Sequence, residues 1–305
     1  MIRLGLDLGG TKIEVLALDD RGTVLQRRRV SSPQHDYEAT LACIVDLVRG
    51  TEAQVGTLAS IGIATPGAIS PATGLLRNSN STWLNGRPLP DDLVARLGRP
   101  VRIENDANCF ALSEAVDGAG AGRRVVFGVI LGTGVGGGIA VDGAVLGGPN
   151  RIAGEWGHNP LPWADDAERP GPPCYCGQRG CIETFLSGPG LSRDHRSATG
   201  EVRRGEEIAA AAAAGDASSR ATLERYAHRL ARALAHVINL LDPDAIVLGG
   251  GLSNVPIWYE RVPQLWSRWV FADRVDTVLL PNRHGDSSGV RGAAWLGRST
   301  LRTDA

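Results

Sequence analysis

Two stretches decide the fold: LGLDLGGTKIEVLALDDRGTVL, residues 4–25, and FGVILGTGVGGGIAVDGAVL, residues 127–146. In each, a short apolar run meets a cluster of glycines, a second apolar run, a polar turn and a third apolar run. Asp20 and Gly22 mark the polar turn of the first stretch, Asp142 and Gly143 that of the second. Short β-branched runs broken by such residues read as strand, tight turn, strand, turn, strand. The same pattern twice, about half the chain apart, points to an internal duplication and so to two related α/β lobes.

The segments between them fit that reading. Residues 37–49 form an amphipathic helix candidate, and residues 60–64 a strand. Residues 222–241 place Leu223, Tyr226, Leu230, Leu234, Val237, Ile238 and Leu241 at three-and-four spacing, a buried helical stripe that Asp242-Pro243 stops. Residues 245–248 read as a buried strand running into Gly249, Gly250 and Gly251. The seam between lobes is expected near residues 118–124. This gives a smaller lobe over 1–120 and a larger one over 121–288, with a last helix at about 289–305 packing back on the first. The polar, proline-rich WADDAERPGPP of residues 163–173 reads as an exposed loop.

With 305 residues, 43% hydrophobic and 21% charged, the chain has the length and composition for two packed lobes. A formal net charge of -1 gives no electrostatic reason to expect nucleic acid or an anionic membrane as partner. No run approaches the roughly 20 apolar residues of a membrane span. No export leader is apparent at the start, so a cytoplasmic location is expected. Three of the five cysteines crowd into Cys174, Cys176 and Cys181, which favours thiols or a metal site over disulfides.

Glycine lets the backbone bring N–H groups close to a phosphate. Gly9-Gly10-Thr11, Gly132-Thr133-Gly134 and Gly249-Gly250-Gly251 could each do so, although glycine turns between strands are also common. None is a Walker or dinucleotide pattern. Asp7, just before the first cluster, is placed to hold a magnesium ion or its waters, or to serve only as a turn acid. Lys12, the only lysine in the chain, stands beside it. Asp106 follows a strand and opens a helix; it is either a catalytic base held ionised by the helix or an ordinary N-cap. His158 with Cys174, Cys176 and Cys181 offers four ligands suited to a closed, structural zinc site. Glu155 and Glu183 flank that site, where they could accept hydrogen bonds from sugar hydroxyls.

These motifs resemble the ROK family of bacterial sugar kinases and repressors over essentially the full length. The match rests on DLGGTK (Asp7–Lys12), TPG (Thr65–Gly67), ENDAN (Glu104–Asn108), LGTGVGGG (Leu131–Gly138), GEWGH (Gly154–His158) and CYCGQRGCIE (Cys174–Glu183). The resemblance implies a duplicated actin-like, ribonuclease-H-type fold, with ATP and sugar meeting between the lobes, and a homodimer. Asp106 would take the proton from the attacking sugar hydroxyl. The loop at Gly67, with Asn80, Asn105, Glu155, His158 and Glu183, would hold the other hydroxyls. ATP would rest on Gly5, Asp7, Gly9, Gly10, Thr11, Lys12, Gly132, Thr133, Gly134, Gly136, Gly137, Gly138, Gly250 and Gly251. Within the family, NSNSTWLNG (Asn78–Gly86), AGEWGHNPLPW (Ala153–Trp163) and HGDSSGVRGAAWL (His284–Leu296) look most like the fructokinase or manno(fructo)kinase branch. D-fructose is thus the expected substrate, with mannose, glucose and N-acetylglucosamine as alternatives. The first hairpin begins at residue 4, which leaves no room for the DNA-reading head of family repressors. A non-catalytic sugar sensor and a zinc-stapled protein without nucleotide are the rival readings.

Overall fold

In the computed structural model, which describes residues 1–297, β1 (Arg3–Leu8), β2 (Lys12–Leu18) and β3 (Val24–Ser31) form an antiparallel meander. The chain then enters α1 (Tyr37–Val55). The Asp36 carboxylate caps its N-terminus on the Ala39 N–H, and Gly56, at φ 74°, ends it. β4 (Ser60–Thr65) returns parallel to β1, β5 (Ala68–Ile69) and β6 (Leu76–Arg77) make a small hairpin, and α2 (Leu89–Leu97) leads to β7 (Val101–Asn105), parallel to β4.

After α3 (Asp106–Val116) the plan repeats. β8 (Val125–Leu131), β9 (Val135–Val141) and β10 (Ala144–Val145) form a second meander. A helical stretch follows: α4 (Ile182–Leu186), α5 (Gly188–Thr199), α6 (Gly205–Ala213) and α7 (Ala217–Leu241). β11 (Ala245–Gly249) then pairs parallel to β8, and, after α8 (Ile257–Trp266), β12 (Val278–Pro281) pairs parallel to β11. The sheets run β3-β2-β1-β4-β7 and β10-β9-β8-β11-β12. Each reads third, second, first, fourth, fifth, so the duplication seen in the glycine hairpins extends to whole sheets. The last described helix is α9 (Ser288–Trp295).

What joins the two sheets is an exchange of helices. α9 lies on β1, β2 and β4 of the first sheet, whereas α3 lies on β8 and β9 of the second, and α3 and α9 pack on each other. Glycines permit the close approach. A Cβ on Gly5 of β1 would sit 2.0 Å from the Val290 carbonyl oxygen, and one on Gly62 of β4 would sit 1.9 Å from that of Ala293. On the second sheet, a Cβ on Gly138 would come within 2.4 Å of the Ala107 carbonyl oxygen. Where the helices cross, Gly292 of α9 faces the Cys109 carbonyl of α3.

The first lobe's core gathers Leu4, Leu6, Ile13, Leu41, Ile44 and Ile63, and the second lobe's the stripe of α7 with Trp258 stacked on Tyr226. α7 begins five residues before its apolar stripe was expected to open it, because the Asp216 carboxylate accepts from the Ser219 N–H and caps a polar first turn. The stretch read as an exposed loop is partly buried. Glu168 is 8% exposed and accepts from Arg229 and Arg232 of α7, which ties residues 163–173 to the core. Of the helix expected over 289–305, Ser288–Trp295 is helical, and residues 298–305 lie outside the described residues. No helix among the described residues is long and apolar enough to cross a membrane.

The packing at Gly62 yields a test. Gly62→Val places a branched side chain where α9 backbone stands, and should cost at least about 3 kcal/mol, read as a lowered urea midpoint with an unchanged slope.

Candidate active site

The carboxyl ends of β1, β4 and β7 deliver Asp7, the Thr65-Pro66-Gly67 loop and the Asn105-Asp106 step to the gap between the lobes. Asn105, not Asp106, caps α3. Its side-chain oxygen accepts from the Ala107 N–H at 2.8 Å and from that of Asn108 at 3.4 Å, while its amide donates to the Gly67 carbonyl at 3.0 Å. The expectation that Asn105 holds sugar hydroxyls is therefore narrowed, since its oxygen is committed to the helix and only one amide hydrogen is left over. Gly67, at φ 81°, is pressed against the backbone of Arg77 and Ser79, where a side chain would collide.

With the cap supplied by Asn105, the Asp106 carboxylate is left at the first helical position, half-buried, touching the Ala107 N–H at 2.8 Å. Burial pushes its pKa up to about 6, the Ala107 N–H opposes this, and the nearby Glu155 carboxylate adds to it. Asp7 is raised to about 7 by burial, then by Asp106 and by Glu14, its partner across the β1–β2 ladder. Lys12 and Arg29 pull the other way. Glu14 itself is buried and clamped by Arg27 at 2.5 Å and by Arg29. Carboxylates crowded in this way suit a hard divalent cation.

The two hairpin turns differ from expectation in extent. In the first, Gly9, Gly10 and Thr11 make the turn, closed by Gly9 N–H donating to the Lys12 carbonyl at 3.0 Å. Gly5 does not belong with them. It lies mid-strand, paired with Leu16 and Gly62, and is occupied by α9 packing. In the second, Gly132, Thr133 and Gly134 make the turn, while Gly136, Gly137 and Gly138 are strand residues of β9. Gly137 backs onto Trp156 and Gly138 onto α3, so these two serve packing, not a phosphate cradle. Gly132 and Gly251 each face open space, and Gly250 and Gly251 are exposed after β11.

His158 and the three cysteines converge. The Cys174 sulfur lies 3.6 Å from His158 Nδ1 and the Cys176 sulfur 3.7 Å from that of Cys181. All four ligand atoms fall within 4.8 Å of one another. A tetrahedral zinc site with bonds of about 2.0–2.3 Å has ligand atoms about 3.5–3.8 Å apart, so the donor set and these two close pairs fit that ion. From the end of this cluster α4 carries Glu183 to the second hairpin, where its carboxylate accepts from the Val135 N–H at 2.9 Å. Glu155 is exposed at the cleft, and Asn80 is exposed in the 78–86 loop.

Three residues escaped the sequence reading. Tyr175, between two cysteines, puts its hydroxyl 3.0 Å from His158 Nε2; its place inside the cluster was the available signal. Glu104 pairs with Arg151 at 3.4 Å and accepts from Asn108 at 3.1 Å, joining the two lobes. Among the described residues the buried Ser81 hydroxyl has no hydrogen-bond partner, and it lies near Gly10 of the first hairpin. Glu104 lies in the ENDAN motif and Ser81 in NSNSTWLNG, but neither motif told their roles, because the partners Arg151 and Gly10 are distant in sequence.

A duplicated two-sheet α/β structure of actin-like form, with carboxylates and glycine turns converging between its lobes, is the frame of a phosphoryl-transferring sugar enzyme. The chain belongs to the ROK family, whose sequence profile matches residues 3–300, and it is a sugar kinase. It is 39% identical over 296 residues to an N-acetyl-D-glucosamine kinase of Photobacterium profundum, covering 96% of this chain and 98% of that one. The crystal structure of a ROK hexokinase from Thermus thermophilus superposes with TM-score 0.86 at 31% identity over 97% of each chain. A Streptomyces griseus ROK glucokinase in complex with glucose and AMPPNP does so with TM-score 0.75 at 30% identity, over 97% of this chain and 99% of that one. The curated relatives at about 40% identity carry the name N-acetyl-D-glucosamine kinase, so the fructokinase branch drawn from the sequence is not where this similarity lies.

The raised Asp106 carboxyl is measurable by itself. Carbon-detected NMR should give a midpoint near 6, and Glu155→Gln should lower it, since the neighbouring negative charge is removed. An unmoved midpoint in that variant would show that Glu155 does not act on Asp106.

Proposed function

We propose that the chain phosphorylates the primary hydroxyl of N-acetyl-D-glucosamine from ATP, with Asp106 as general base. The carrying observation is the Asp106 carboxylate, freed from capping by Asn105 and set beside Glu155 and Asp7 between two glycine turns. The choice of sugar rests on the relatives' names, at 39–41% identity. In this reading the lobes are residues 1–120 with α9, and 121–288. They close over the substrates and exclude water.

Asp106 Oδ accepts the hydroxyl proton as the sugar oxygen attacks the γ-phosphorus and the bond to ADP breaks. Glu155, Glu183, His158, Asn80 and the Gly67 loop hold the remaining hydroxyls. The turns at Gly9–Lys12 and Gly132–Gly134, with Gly250 and Gly251, present N–H groups to the phosphates. Magnesium, when held at Asp7, supplies neutralisation of phosphate charge. His158, Cys174, Cys176 and Cys181 would hold zinc, which would fix the loop, and Nε2 of His158 meets the Tyr175 hydroxyl. We place the enzyme in the cytoplasm as a homodimer.

ADP release measured with N-acetylglucosamine, glucose, mannose and fructose should give the highest kcat/KM for N-acetylglucosamine; a preference for fructose would overturn the substrate. Asp106→Asn should lose at least about a hundredfold in kcat. Since the base works ionised, kcat/KM should fall about tenfold per pH unit below about 6. Sugar binding without ADP formation would instead favour a sensor.

Metal analysis of the purified chain should find about one zinc per chain, and Cys176→Ser should lower both zinc content and thermal midpoint. Full activity in zinc-free protein would remove the metal from the account.

A further inference from the structure

His158 has two ring nitrogens, and both are engaged before any sugar arrives. Nδ1 lies 3.6 Å from the Cys174 sulfur, inside the cluster of four ligands, which leaves Nε2 as the ring nitrogen able to meet a sugar hydroxyl. The Tyr175 hydroxyl already stands 3.0 Å from that atom, with the tyrosine ring edge-on to the imidazole at 90° and the centroids 5.1 Å apart. A ring nitrogen carries either one hydrogen or one lone pair. Nε2 therefore makes one good hydrogen bond, to the tyrosine or to a sugar, but not to both.

The backbone and the side chain of Tyr175 are held very differently. The Cys174 N–H donates to the Gln178 carbonyl at 2.9 Å and the Gly177 N–H to the Cys174 carbonyl at 3.0 Å, which closes a tight turn around Tyr175. Gly177 takes φ 89° there, and Cys174 and Cys176, on either side of the tyrosine, both face the cluster. The side chain is free by comparison. Tyr175 is 83% exposed, and among the described residues its hydroxyl has no hydrogen-bond partner but His158. Exposed side chains change rotamer in picoseconds to nanoseconds, so the ring can leave His158 while the turn stays in place.

We propose that Tyr175 is a specificity-determining residue of the sugar site, an internal competitor whose hydroxyl holds the place on His158 Nε2 that the substrate takes. This rests on the reading above in which His158 holds a sugar hydroxyl. A sugar that offers a hydroxyl to Nε2 exchanges one hydrogen bond for another and gains only the difference between them. Its apparent affinity then scales with the fraction of molecules in which the tyrosine has moved away. One hydrogen bond makes that reduction about two- to tenfold. A ligand with no group at that position leaves the tyrosine docked and is not weakened. Tyr175 thereby narrows the margin by which the site prefers the first kind of ligand to the second.

Isothermal titration calorimetry with N-acetylglucosamine, on the protein as purified, tests this. Tyr175→Phe keeps the ring and removes the hydroxyl, and should lower the dissociation constant about two- to tenfold. In a set of analogues each lacking one hydroxyl or the acetamido group, the one without the group that meets Nε2 should bind Tyr175→Phe and wild type alike. Sugar added to the wild type should give a tyrosine ultraviolet difference spectrum larger than that of Tyr175→Phe. Should Tyr175→Phe misfold, Tyr175→Leu reads the same tightening. Glu155→Gln alters the pocket outside the Tyr175–His158 pair and should weaken binding at least about tenfold. If it does so while Tyr175→Phe fails to tighten binding, or tightens every analogue equally, the competition is overturned and the sugar site stands. If neither variant changes affinity, the sugar binds elsewhere and both fall.

Discussion

Everything in this molecule depends on the mutual embrace of α3 and α9. α9 lies on the first sheet and α3 on the second, and the two meet where Gly292 faces the Cys109 carbonyl. Contacts this close require backbone without side chain at Gly5, Gly62, Gly138 and Gly292. Interiors pack like crystals of small molecules, so a single added carbon has nowhere to go. The same crossing positions the candidate site, because α3 begins at Asp106 and the N-terminal end of α9 brings Gly289 to within 3.6 Å, measured from an added Cβ, of the Asp7 carboxylate.

This explains which parts of the sequence could be read and which could not. The duplicated meander was legible because turn glycines and alternating strands are local signals, and both sheets repeat the order that the two stretches imply. The convergence of His158 with three cysteines was legible because three of its four ligands lie within eight residues of sequence. Gly5 misled because a glycine that admits a helix looks, in sequence, like a glycine that admits a phosphate. The partner that tells them apart, Val290, is far along the chain. Gly137 and Gly138 misled for the same reason.

Asp106 shows a different limit. From spacing, cap and base were both open. The structure assigns capping to the neighbouring Asn105, which is possible because that side chain also reaches the Gly67 carbonyl. Likewise, residues 163–173 read as solvent-exposed by composition. Most of them are exposed, but one of their acids, Glu168, is buried in a pairing with Arg229 and Arg232, and only tertiary partners reveal it.

Cys181 and Glu183 stand two residues apart at the start of α4. One ends on the sulfur cluster and the other on the Val135 amide in the second hairpin. A rigid half-turn of helix thus works as a short lever with its fulcrum in the core at Ile182. The position of the sulfur and that of the glycine turn are thus tied through one short piece of backbone. The second glycine hairpin therefore inherits the positional precision of the sulfur cluster.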